Sequence, residues 1–205
     1  MIKVVERLTI KDQIALFNSL KPVTKLAPFF DKFLPRSGAR FNYRCTSAGK
    51  YGWYSDKDGG YRYETKHPHN HTPFPEIPIE VLEIVERCKV ITGETTFVAE
   101  TCLINIYNET SSLGIHQDNT ESNLEPMIIS ISLGEDVVFH HCHSSAGRYG
   151  TKEKLLLKSG DVLIFSEDDR MCFHGVPEPP IKGTMPNNFP LKPGYRINLT
   201  IRQVN

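Results

Sequence analysis

Between residues 195 and 202 the chain reads Tyr-Arg-Ile-Asn-Leu-Thr-Ile-Arg, a strict alternation of apolar and polar positions. In a strand, Tyr195, Ile197, Leu199 and Ile201 share one face, while Arg196, Asn198, Thr200 and Arg202 share the other. The same period of two recurs from residue 97 onward and predicts strands over 97–107, 127–133, 136–141, 154–158, 161–165, 171–175 and 195–203. The N-terminal part has a different period. Thr9 can cap a helix over 9–20 whose stripe is Ile10, Ile14, Phe17 and Leu20. Pro78 and Gly93 bracket a second helix over 79–91, with Ile79, Leu82 and Val85 on one face. Residues 36–75 are rich in Gly, Tyr, Arg, Pro and His and predict short strands and a mobile flap. Residues 176–194 hold six prolines and predict a long loop. Helices followed by many short strands imply a mainly β, α+β fold: an antiparallel sandwich or jelly roll (double-stranded β-helix) buttressed by N-terminal helices.

The chain has 205 residues, which suits one domain over 1–205. Its formal net charge is zero, so no global basic field announces a duplex binder. Charge is uneven: residues 36–66 hold seven basic side chains against three acidic ones. Five cysteines, without a C-x-x-C pair, indicate neither a disulfide framework nor a four-cysteine zinc site. The N-terminus lacks a signal-peptide core, and no apolar run approaches membrane-spanning length. A soluble, monomeric protein in the reducing cytoplasm, with no membrane partner, is expected.

The C-terminal strand poses a chemical question, because unpaired charge on an inward face is costly. Two arginines there call for an anion. Upstream stand His116-Gln117-Asp118 and, further on, His174. Two imidazoles and a carboxylate form the facial triad of non-haem Fe(II) oxygenases. An H-x-D tripeptide alone arises by chance, and His116 could be an ordinary loop histidine. The order H-x-D, about 55 residues, His, about 20 residues, Arg is far more restrictive. Arg196 or Arg202 taken singly could be a surface arginine on an edge strand. His140, His141 and His143 flank Cys142, but neighbouring strand residues face opposite ways, so they do not converge. His67, His69 and His71 read as a solvated loop.

Taken together, the motifs resemble the AlkB family of Fe(II)/2-oxoglutarate-dependent dioxygenases, of the bacterial type. The matching pieces are Gly52-Trp53, Gly60-Tyr61-Arg62-Tyr63, Pro73-Phe74-Pro75, Cys102–Tyr107, His116-Gln117-Asp118, Ile129–Gly134, Leu155–Val162, Phe173-His174-Gly175 and Arg196–Gln203. They run in family order over nearly the whole chain. The resemblance implies a jelly-roll core over 97–205 and a nucleotide-recognition lid over 36–75. It implies that His116, Asp118 and His174 hold Fe(II) and are catalytic. Arg196 would pair with the distal carboxylate of 2-oxoglutarate, with Asn105, Tyr107, Asn198 and Arg202 completing that pocket. Arg202 would reach the metal-proximal carboxylate. Trp53, Tyr61 and Arg148 would contact substrate, as would Asp118, whose charge attracts a cationic base. Tyr63 reads as satellite core.

The implied activity uses Fe(II), 2-oxoglutarate and O2 to dealkylate nucleobases such as 1-methyladenine and 3-methylcytosine in single- or double-stranded DNA, with RNA also allowed. Two other readings are an oxygenase of the same class acting on a protein or small molecule, and a nucleic-acid-binding module with a vestigial metal site. The chain departs from the family pattern at Asn119 and Thr120 after Asp118, at Phe165, and in the tract His140–His143. These positions bear on substrate preference rather than on the iron.

Overall fold

The computed structural model describes Ile2 and residues 4–205. Strand β1 (Val4–Arg7) leads into helix α1 (Ile10–Leu26), β2 (Phe30–Phe33), β3 (Arg40–Gly49), β4 (Gly52–Asp56), β5 (Gly60–Glu64) and helix α2 (Ile79–Thr92). Eight strands follow: β6 (Thr101–Tyr107), β7 (Leu113–His116), β8 (Ile128–Gly134), β9 (Val137–Cys142), β10 (Glu153–Leu157), β11 (Asp161–Phe165), β12 (Phe173–Val176) and β13 (Arg196–Arg202). A seven-stranded sheet runs β1-β11-β8-β13-β6-β3-β2, and a four-stranded sheet runs β10-β9-β12-β7. All pairings are antiparallel. This is the mainly β sandwich that the periodicity implies.

The alternation of β13 positions the site. Ile197, Leu199 and Ile201 join Ile129, Ile131 and Leu133 of β8 in a core covered by Leu16, Leu20, Val81 and Ile84 of the helices. The opposite face of the large sheet looks toward the small one. There Tyr107, Leu163 and Phe165 pack against Val137, Phe139 and Val176 in a second core. Arg196, Asn198, Thr200 and Arg202 line the cavity beside that second core.

Both helices form where expected, with rotated faces. The Thr9 hydroxyl accepts the Asp12 N–H at 3.2 Å, a cap of the expected kind. The helix continues past residue 20 to Leu26, with Pro22 inside it. Its buried stripe is Gln13, Leu16, Leu20 and Val23, whereas Ile10 is exposed. Burial of Gln13 is tolerated because its amide donates to the Leu8 carbonyl and its oxygen accepts the Ser159 hydroxyl. In α2, Val81, Ile84, Val85 and Cys88 are buried and Ile79 is exposed. Gly93 closes α2 at φ 78°, a conformation with little cost only for glycine.

The segment 36–75 divides. Residues 40–49 are a strand of the large sheet, paired with β6 from Arg44↔Ile106 to Gly49↔Thr101. The β4–β5 hairpin forms a separate two-stranded sheet. His67 is buried rather than solvated. Its ring lies edge-on to Phe30 at 5.3 Å, and its Nε2 bonds the Pro28 carbonyl at 2.8 Å. The Pro-rich loop is also tied down. The buried Glu135 carboxylate accepts the N–H groups of Thr184, Met185 and Gly194 at 2.7, 2.7 and 2.9 Å. All five cysteines are free and buried. Among the described residues, no helix is long and apolar enough to cross a membrane.

Candidate active site

Strands β7 and β12 are neighbours, and their register sets His116 directly opposite His174. Asp118 follows two residues beyond the end of β7. One donor atom from each of the three side chains lies within 4.8 Å of the others, and among the described residues no other such cluster forms. The Asp118 carboxylate is 3.5 Å from His116 Nε2 and 3.6 Å from His174 Nε2. Each imidazole Nδ1 faces a backbone carbonyl, that of Gly114 at 2.9 Å and that of Cys172 at 3.2 Å. A carbonyl only accepts, so each Nδ1 carries the proton and each Nε2 offers its lone pair toward Asp118. Burial, then the neighbouring His116, pushes the His174 imidazole down to about 4. Burial opposes the charge of Asp118, but the guanidinium of Arg202 beside it outweighs burial and holds its carboxyl well below the usual range. His174 is thus a neutral imidazole beside an ionised Asp118, which is the protonation a divalent ion needs. Phe165, one of the departures from the family pattern, packs on the His174 ring at 5.0 Å.

At the other end of β13, Arg196 is 3 % exposed. Its Nη2 donates to Ser132 Oγ at 3.0 Å, and its guanidinium lies 5.3 Å from the Tyr107 ring. Among the described residues its Nε has no partner, and neither has Asn105 Oδ1. The register places Arg196 against Tyr107 and Asn198 against Asn105. The Asn198 amide is held by Ser130 Oγ at 2.8 Å. A buried guanidinium with an unused donor and, among the described residues, no carboxylate partner is an anion site by its chemistry. The residues fit an Fe(II)/2-oxoglutarate pair: a facial ligand set, and a separate buried cation for a carboxylate.

Residues 4–202 match the model of the 2OG-Fe(II) oxygenase superfamily. The chain is 32% identical over 197 residues to the alpha-ketoglutarate-dependent dioxygenase AlkB homolog of Caulobacter vibrioides (strain NA1000 / CB15N), covering 96% of this chain and 84% of that one. This protein belongs to the AlkB family of 2OG-Fe(II) oxygenases. It is also 30% identical over 219 residues to the DNA N(6)-methyladenine demethylase ALKBH1C of Arabidopsis thaliana, covering 96% of this chain and 46% of that one. The solved structure of OsALKBH1 superposes with a TM-score of 0.78 at 24% identity, covering 99% of this chain and all (100%) of that one, a likeness of fold. Enzymes of this family work with Fe(II), 2-oxoglutarate and O2.

In this AlkB-family chain a single cavity of about 440 Å³ is lined by every site residue expected from the sequence. Trp53 and Tyr61 stand at its wall with their rings 5.4 Å apart and nearly parallel, at 16°. The Trp53 indole N–H donates to Thr120 Oγ1 at 3.0 Å, so the second departure after Asp118 holds the indole plane. Arg148 also lines the cavity and is exposed. The histidine tract does not converge: His140 meets Glu178 at 2.8 Å, His141 packs near Phe139, and His143 accepts the Ser145 N–H.

A buried charge network beside the triad escapes sequence reading. Arg202 binds Asp118 at 2.7 Å and Glu121 at 2.6 Å. Glu121 also takes the Tyr63 hydroxyl at 2.5 Å and Arg170 at 3.2 Å. Arg170 further donates to the Asp118 carbonyl at 2.7 Å. Tyr63 is therefore a member of this network and not mere satellite packing. Two arginines and two carboxylates balance, which is the condition for burying them. Glu121 follows the H-x-D motif by three residues, so its proximity was readable. The arrival of Arg170 was not.

Proposed function

We propose that this enzyme removes alkyl groups from ring nitrogens of nucleobases in DNA, with RNA as a further substrate. The observation that carries the reading is the shared cavity: the triad, the anion-seeking Arg196 and the Trp53–Tyr61 pair all border one space. In this reading His116, Asp118 and His174 hold Fe(II). Arg196 takes the far carboxylate of 2-oxoglutarate, and Asn105, Tyr107, Asn198 and Arg202 complete that pocket. Trp53, Tyr61 and Arg148 meet the nucleic acid. With Fe(II), 2-oxoglutarate and O2 bound, the site supplies an oxidant that hydroxylates the N-alkyl carbon. An N-methyl base, 2-oxoglutarate and O2 then give the free base, formaldehyde, succinate and CO2.

The protein's own residues position and insulate this chemistry. Arg202 keeps Asp118 ionised, and the backbone carbonyls at Gly114 and Cys172 orient the imidazoles. Phe139 and Phe165 shield the His174 ring from water. An aromatic face offsets the stacking that a flipped base loses, contributing about 1–3 kcal/mol per base. Within 36–75 the β4–β5 hairpin serves as the substrate-facing lid, while strand 40–49 belongs with 97–205 to the core of one catalytic unit. The buried free thiols suit a reducing cytoplasm, and the unit works as a monomer.

The test is turnover on methylated single- and double-stranded oligonucleotides with Fe(II), 2-oxoglutarate and ascorbate. Succinate and formaldehyde should appear in equal amounts, and binding should weaken with salt as phosphate contacts are screened. An iron-loaded enzyme inert toward every methylated DNA and RNA, yet active on a peptide or small molecule, would replace this reading.

A further inference from the structure

The loop between β9 and β10 carries a tyrosine that the dealkylation reading leaves without a task. The Gly150 N–H donates to the Gly147 carbonyl at 3.2 Å and closes a four-residue turn, Gly147-Arg148-Tyr149-Gly150. The backbone of this turn is pinned. Gly147 stands at φ 69°, and its own N–H donates to the Ser144 carbonyl at 3.0 Å. A Cβ on Gly150 would meet the Ala146 carbonyl oxygen at 2.4 Å, so the close approach there requires glycine. The Lys152 ammonium donates to the Arg148 and Gly150 carbonyls. Arg148 and Tyr149 hold the two central positions. Arg148 borders the catalytic cavity. Tyr149 is 96 % exposed. Among the described residues, no ring contact or hydrogen bond engages the Tyr149 side chain, and no ion pair or hydrogen bond engages the Arg148 guanidinium.

A lone exposed aromatic is ordinary on a protein surface. This one differs in its setting. Its backbone is fixed, and the residue before it is an uncommitted cation at the edge of the catalytic cavity. A cation for the phosphate backbone beside an aromatic face for a base is the pairing that binds single-stranded nucleic acid. We propose that Arg148 and Tyr149 form a subsite for the nucleotide adjacent to the alkylated one. Arg148 takes the intervening phosphate, and the Tyr149 ring stacks on the neighbouring base. The strand that fits is single. In a duplex the neighbour is held by its own pair within the helix, and a pinned turn does not move to meet it. In a single strand the neighbour rotates freely and comes to the ring. The chain's zero net charge likewise supplies no field for two phosphate backbones. This inference rests on the dealkylation reading and narrows its substrate to single strands with a base beside the lesion.

The experiment uses a single strand with a central 1-methyladenine, a second strand identical but abasic on both sides of it, and the first strand paired with its complement. Formaldehyde release is measured with the full chain loaded with Fe(II) and 2-oxoglutarate. Tyr149→Ala should lower kcat/KM on the intact single strand by about tenfold, the scale of one base stacked on one ring. Tyr149→Phe should stay within about twofold of the wild type, because the ring remains. On the abasic strand and on the duplex, the wild type and Tyr149→Ala should agree within about twofold, since the base that couples to the ring is missing or held away. Equal rates on the intact strand, an equal loss on the abasic strand, or a loss confined to the duplex overturns the subsite while dealkylation stands. Trp53 is the sole tryptophan and lines the same cavity, so anaerobic quenching of its fluorescence reads binding of these strands without turnover. Absence of formaldehyde from the wild type on every strand overturns the dealkylation reading. Wild-type affinities that do not differ between the intact and abasic strands overturn the subsite independently of it.

Discussion

Arg196 gives the sharpest physical forecast. Its guanidinium is 3 % exposed, has one hydroxyl partner and one ring contact, and leaves Nε unpaired. Burial drags its pKa down from the usual arginine value, with Tyr107 opposing. Holding such a charge without a counter-ion costs several kcal/mol. The Tyr107 contact returns about 1 kcal/mol of that. Replacing Arg196 by the apolar, similarly long Met should therefore stabilise the unliganded protein by on the order of 2 kcal/mol. For a chain of this size that is a rise of roughly 4–8 °C in Tm. Adding 2-oxoglutarate with Fe(II) under anaerobic conditions should reverse the order. At 100 times Kd the wild type should gain about 2.7 kcal/mol. The variant should gain little, because the carboxylate has lost its fork. Calorimetry with and without 2-oxoglutarate checks both halves. A variant that melts more than about 2 °C below the wild type when unliganded, or that responds to 2-oxoglutarate as the wild type does, refutes the reasoning.

Three further outcomes follow from the geometry. Glu121→Gln leaves Arg202 and Arg170 short of one buried counter-charge, so chemical denaturation should show a loss of about 3–5 kcal/mol. Glu135→Gln should cost about 1.5–3 kcal/mol near neutral pH, because the carboxylate accepts three loop N–H groups. Burial opposes the Glu135 charge but those bonds lower its pKa, so its contribution is present above the unfolded carboxylate value and fades as pH falls through the folded one. The two proteins' urea midpoints should therefore converge on acidification and stay apart from pH 5 upward. His174→Ala should lose iron by metal analysis and all formaldehyde release, yet retain oligonucleotide binding read by Trp53 fluorescence.

Much of the chemistry could be read along the chain because it is local. His116 and Asp118 are two residues apart, and Arg196 to Arg202 lie on one strand, where the period of two dictates the shared face. Helix ends were equally local, as Thr9 and Gly93 show. The helix faces were misread because Ile10 and Ile79 satisfy helical spacing as well as the residues that are buried. Spacing defines a stripe, but the neighbouring sheet chooses which stripe it covers. Likewise 40–49, Gly- and Arg-rich in context, became a sheet strand because β6 offered it an edge.

The sequence by itself determined the donor set, the anion-seeking arginines and the β-rich class, since each follows from residue type at short spacing. Only the tertiary structure decided that His174 lands opposite His116, that Arg170 closes a charge network around Glu121, and that Lys32 enters an aromatic wall. The physical reason is range. A strand's alternation is set by its own backbone, whereas the meeting of β2 with β4, or of residue 170 with residue 121, is a packing outcome between segments well apart in the chain, and no local period encodes it.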